Sequence, residues 1–83
     1  MRVEQFLRHS TTRHPDKVAL VAGGRRLTFW DIDGMSDRLA GVLRRQGVAR
    51  GDRVVVYMDN SWGTVVAIFA TLKAGAVFSP INP

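Results

Sequence analysis

The sequence predicts an α/β fold, and three observations predict it. Val18 to Ala22 form a short apolar run, followed by Gly23-Gly24 and then Arg25-Arg26-Leu27, the pattern of a strand, a tight turn and a returning strand. Ile32, Met35, Leu39, Val42 and Leu43 recur at the spacing of one helix face. Arg53-Val54-Val55-Val56-Tyr57 is a β-branched run without alternation, the mark of a strand covered on both faces, as in a parallel sheet.

Taken in order, the elements are a helix, a β-hairpin, a long helix and a parallel βαβ unit. Val3, Phe6 and Leu7 share a face of a short first helix, which must end near His14 because Pro15 disfavours helical backbone in the residue before it. After the hairpin, Thr28 stands three residues before Asp31, so its hydroxyl can cap the start of a long helix while the acidic side chain complements the helix dipole. That helix carries Asp33 and Asp37 early and Arg44 and Arg45 late, in keeping with its dipole, and Gly47 supplies its C-terminal stop. Gly34 and Gly41 lie in its interior, where glycine costs about 1 kcal/mol relative to alanine, and close packing against a neighbour is the expected reason. Asn60 or Ser61 caps a third helix that is apolar nearly all the way round from Val65 to Leu72. Ala76-Val77-Phe78 then reads as a second strand, parallel to the first through a right-handed crossover.

Composition narrows the function classes. A chain of 83 residues with 46% hydrophobic and 23% charged content is one small domain or a piece of a larger one. It has no cysteine, which excludes a disulfide-stapled scaffold and a thiolate metal site. No stretch is long and apolar enough to read as a membrane span, and residues 1 to 17 mix Arg2, Glu4, Arg8 and Arg13 into the apolar positions, unlike an export signal. The expected location is cytoplasmic. The net charge of +5 arises before Gly51, since the segment after it balances Arg53 and Lys73 against Asp52 and Asp59. Nucleic-acid binding through Arg8, Arg13, Arg25, Arg26, Arg44, Arg45 and Arg50 is weighed against this and set aside, because no stacking aromatics interleave with the basic residues.

No catalytic, cofactor-binding or metal-binding residue is predicted. Gly23-Gly24 precedes a strand and Gly47 to Gly51 joins a helix end to a strand, so neither presents a helix N-terminus to a phosphate. In the turn from Met58 to Gly63 there is one glycine and an acidic residue, which favours capping over phosphate binding. His9 and His14 read as exposed residues near a helix end, and Ser10, Ser36, Ser61 and Ser79 lack the setting of a nucleophile. Asp31, Asp33 and Asp37 read as a solvated helix face, and Lys73 as a solvated cation at a helix end.

Five blocks of residues nevertheless resemble one family in order and spacing. They are Pro15-Asp16-Lys17-Val18-Ala19-Leu20, Leu27-Thr28-Phe29-Trp30-Asp31-Ile32, Ser36-Asp37-Arg38-Leu39-Ala40, Gly47-Val48 with Gly51-Asp52-Arg53-Val54 and Asn60-Ser61, and Leu72-Lys73-Ala74-Gly75-Ala76-Val77-Phe78 with Pro80-Ile81-Asn82-Pro83. Together they resemble the opening of the adenylate-forming enzymes, which include acyl-CoA synthetases, peptide synthetase adenylation domains and luciferases. Two blocks look like the first two core motifs of adenylation domains, with Phe29 where tyrosine is usual and Asp31 where glutamate is usual. Asn82 before Pro83 is similar to the acyl-CoA and fatty acyl-AMP synthetases, where peptide synthetases usually carry aspartate.

The resemblance implies that residues 1–83 are an incomplete N-terminal portion of an AMP-binding domain, with the chain cut after Pro83. The parent enzyme would be a ligase that joins a small carboxylic acid to AMP at the expense of ATP, with Mg, and passes the acyl group to a thiol such as that of CoA. The family's phosphate loop, adenine and ribose contacts and catalytic lysine lie downstream of the matched region, so this portion is expected to be scaffold, inactive alone and without a cofactor of its own. Its expected partner is the remainder of the enzyme, or a second copy meeting it through exposed apolar surface. A stand-alone interaction or regulatory module, and a basic nucleic-acid-binding domain, are the alternatives.

Overall fold

The computed structural model describes residues 2–58 and 61–81, so Asn60, Asn82 and Pro83 lie outside the described residues. The elements are α1 (Val3–Arg13), β1 (Val18–Ala22), β2 (Arg25–Thr28), α2 (Phe29–Arg45), β3 (Arg53–Tyr57), α3 (Trp62–Lys73) and β4 (Val77–Ile81). The order matches the one expected from the sequence.

Each boundary has a local cause. Gly23 and Gly24 take φ of 58° and 76°, the pair of positive values that lets a two-residue turn follow the twist of β1 and β2. The two strands pair antiparallel, with an irregularity between Val18 and Leu20. Thr28 and Asp31 cap α2 reciprocally: the Asp31 amide donates to Thr28 Oγ1 at 3.1 Å and the Thr28 amide to Asp31 Oδ2 at 3.0 Å. At its far end Gly47 turns left-handed, its amide donates to Arg44 O, and the Val48 amide reaches Leu43 O, both at 3.0 Å. The same closure recurs after α3, where Gly75 donates to Leu72 O and Ala76 to Thr71 O. Both helices therefore end in the six-residue loop that satisfies their last carbonyls, and both need glycine at the left-handed position. Ser61 caps the start of α3 by accepting the Thr64 amide.

β3 and β4 pair parallel in the register Arg53↔Val77 to Tyr57↔Ile81, with α3 as the crossover. The βαβ unit and the hairpin form separate two-stranded sheets. One core cluster joins α1, the hairpin, α2 and α3 through Leu7, Leu27 and Ile32, with Phe29, Met35, Trp62 and Phe69 packed around them. A second holds α2 against α3 through Ala40, Ala70 and Ala74.

Two expectations are corrected here. Gly34 and Gly41 do not mediate the close approach of α2 to a neighbour: a methyl group at either would meet only an arginine side chain of α2 itself, Arg38 or Arg45, at 3.4 and 3.5 Å. The approach is made instead by small residues on another face, Ala40 from α2 against Ala70 and Ala74 from α3. Nor is β3 covered on both faces. Val56 is buried, while Val55 on the opposite face is 54% exposed, and its neighbours there, Val77 and Ile81 of β4, are 53% and 41% exposed. Among the described residues no second layer lies over that face.

Candidate functional site

The densest array of charged side chains lies where the three helices meet. Asp33, Ser36 and Asp37 stand at i, i+3 and i+4 on α2, so one helix face presents two carboxylates and a hydroxyl. Lys73, the last residue of α3, reaches across to them. Its ammonium donates to Asp33 Oδ1, to the Asp33 carbonyl at 3.1 Å, to Ser36 Oγ at 2.8 Å and to Asp37 Oδ1 at 2.9 Å. Arg8 of α1 closes the array from the other side: Nη2 donates to both oxygens of Asp37 at 2.9 and 3.1 Å, and Nε lies 3.1 Å from Asp33 Oδ2. Ser36 Oγ also donates to the Asp33 carbonyl at 3.1 Å.

Burial divides the array into two parts. The Lys73 and Asp33 side chains are 9% and 11% exposed, so this pair has left water and holds its charge only through its partners. Arg8 and Asp37, at 58% and 48%, form a wetter rim whose attraction is screened. Two carboxylates meet two cations, and no buried side-chain oxygen or nitrogen among the described residues lacks a partner. An ammonium with three N–H groups shared among four acceptors has no lone pair to offer as a nucleophile or base. The arrangement is a clamp between helices.

This overturns two sequence readings. Lys73 is not a solvated helix-end cation, and Asp33 is not on a solvated face. Asp31 too has a specific task, capping α2. The partners of Lys73 lie 36 to 40 residues away, so local pattern alone could not join them. One signal was present: Lys73 is the sole charge in the apolar helix Trp62–Lys73, and a lone charge on a helix buried on most sides requires a partner.

His9 and His14 are exposed, and no group of three or more metal-ligating side chains occurs among the described residues. Gly23-Gly24 is a hairpin turn and Gly47 a helix stop. Two clefts flank α2. One of about 480 Å³ borders the clamp, lined by Glu4, Arg8, Asp37, Arg44 and Lys73. Another of about 300 Å³ is bounded by Leu39, Leu43, Val54, Val56, Ala67 and Thr71, between α2, α3 and β3.

Comparison with known proteins gives this geometry a context. A family model described as AMP-binding enzyme matches residues 7–83. Triostin synthetase I of Streptomyces triostinicus is 45% identical over 72 residues, 87% of this chain and 14% of its own length. A medium/long-chain-fatty-acid and 3-oxocholest-4-en-26-oate CoA ligase of Mycobacterium marinum is 34% identical over 82 residues, 99% of this chain and 15% of its own. The solved complex of VinN with L-aspartate superposes with a TM-score of 0.95 at 30% identity, covering all of this chain and 21% of that one. The chain thus spans between 1% and 15% of the length of the curated relatives it matches.

Proposed function

Because this chain belongs to the AMP-binding enzyme family, the adenylate-forming superfamily, we propose that it is the N-terminal scaffold segment of an AMP-forming carboxylate-activating ligase. The parent reaction joins the carboxylate of an acid to the α-phosphate of ATP, releases pyrophosphate and passes the acyl group from AMP to a thiol. ATP, Mg and a thiol such as CoA belong to that whole enzyme, in a cytoplasmic setting. The observation that carries the reading is that similarity runs across 99% of the chain to a CoA ligase while covering only 15% of that ligase.

The segment's contribution is mechanical. α2 and α3 are locked by the Lys73 clamp, α1 is tied to them by Arg8, and the rigid unit presents the bare face of β3 and β4 to further protein. The charged groups of the clamp, Arg8, Asp33, Asp37 and Lys73, are consumed in holding helices, and the chemistry is assigned to the rest of the enzyme. An acyl-CoA or acyl-AMP synthetase is favoured over an amino-acid-activating enzyme by Asn82 before Pro83.

The test is a chimera in which this chain replaces the matched segment of the Mycobacterium marinum ligase. The chimera should retain carboxylate-dependent exchange of pyrophosphate into ATP, and the 83-residue chain alone should show none above background. A soluble, folded chimera without exchange, or exchange by the chain alone, overturns the proposal.

A further inference from the structure

The C-terminal ends of α2 and α3 converge with the start of β3, and the segments that meet there carry four arginines. Arg44 Nη2 donates to the Lys73 carbonyl at 2.6 Å, and Arg45 follows it. Arg50 lies against the turn after α3: a methyl group built on Gly75 would sit 3.5 Å from Arg50 Cγ, and the neighbouring Gly51 amide donates to Gly75 O at 2.9 Å. Arg53 pairs with Val77, two residues beyond that turn. All four are exposed.

The fold accounts for only part of this charge. Helix C-termini attract cations, which explains Arg44 and Arg45 at the end of α2, but Arg50 and Arg53 belong to no helix. Among the described residues the nearby carboxylates have other hydrogen-bond partners, and Asp52 offsets one of the four charges. Asp33 and Asp37 hold Lys73 and Arg8, Asp31 caps α2, and Asp52, at the corner itself, accepts the Ala49 amide at 2.7 Å. Among the described residues none of the four arginines is ion-paired. The surface beside them is open, since a methyl group at Gly47 or Gly51 would meet nothing within 4 Å.

We propose that the corner formed by Arg44, Arg45, Arg50 and Arg53 is a docking surface for an acidic protein segment. Guanidinium groups bind carboxylates through paired N–H donors, and a cluster of them selects a segment with closely spaced aspartate and glutamate. A nucleic acid fits less well. The exposed Trp30 that could stack on a base lies at the opposite end of α2, roughly 20 Å away at 1.5 Å per residue.

The full chain is titrated against a fluorescein-labelled peptide rich in glutamate and, separately, a labelled oligothymidine of equal charge, with fluorescence anisotropy as the readout. Two triple variants carry the same change in charge: Arg45→Glu with Arg50→Glu and Arg53→Glu at the corner, and Arg13→Glu with Lys17→Glu and Arg26→Glu away from it. All six positions are exposed, and far-ultraviolet circular dichroism checks that both variants keep the helices. The corner variant should bind the peptide at least about tenfold more weakly than the natural chain and the remote variant within about twofold of it. Equal weakening in both, no peptide binding by the natural chain, or tighter binding of the oligonucleotide than of the peptide overturns the proposal.

Discussion

Where the three helices meet, each buried side-chain polar atom has its partner and small residues close the gap between α2 and α3, whereas the sheet face turned away from α3 leaves Val55, Val77 and Ile81 to solvent. The first region is complete within the described residues. The second has the composition of an interior and the exposure of a surface. The difference sets the terms of a test: the helix junction should carry the chain's stability, and the open face should be the side on which further protein packs.

The comparison is broken most directly at Lys73. Lys73→Met removes the cation that sits on Asp33 and leaves a nearly buried carboxylate with only the partly exposed Arg8, so unfolding in urea should show a loss of about 3 kcal/mol, as for other broken buried pairs. Adding Asp33→Leu to that variant should recover part of the loss, because the unpaired charge is then gone. If Lys73→Met is neutral, the junction is not where the chain's stability lies.

Next in size is Gly75→Ala. The position has a φ of 79°, and an alanine there should cost about 1 to 2 kcal/mol through backbone strain alone, since its methyl group meets Arg50 at no less than 3.5 Å. Thr28→Ala should cost about 1 kcal/mol by freeing the Asp31 amide, and Thr28→Ser should restore most of it. Both are read from the midpoint of urea unfolding.

Much of this architecture was written in local pattern. The Thr28 and Asp31 spacing announced the start of α2, Gly23-Gly24 the hairpin, and the Val54 to Val56 run the parallel strand, because each depends on residues within a few positions of one another. The clamp was hidden for the opposite reason. Asp33, Ser36 and Asp37 are ordinary on a helix surface until the crossover brings Lys73 onto them, and Arg8 arrives from a third element. Gly34 and Gly41 misled because glycine in a helix usually marks a contact, and here alanine makes it.

The smallest expected change in stability is at the open face, and there it separates folding from assembly. Val55 is 54% exposed, so Val55→Lys removes little buried area and should move the unfolding midpoint by no more than about 0.5 kcal/mol. Association should respond far more. The face carries Val55, Val77 and Ile81 beside two strand edges that have no neighbour among the described residues, and such surfaces draw chains together. At about 100 μM the natural chain should therefore sediment as more than a monomer, and Val55→Lys, which sets a desolvation cost against the same contact, should shift it towards the monomer. A natural chain that sediments as a clean monomer would mean that the bare face needs no cover, and the distinction between a finished junction and an unfinished sheet would lose its physical basis.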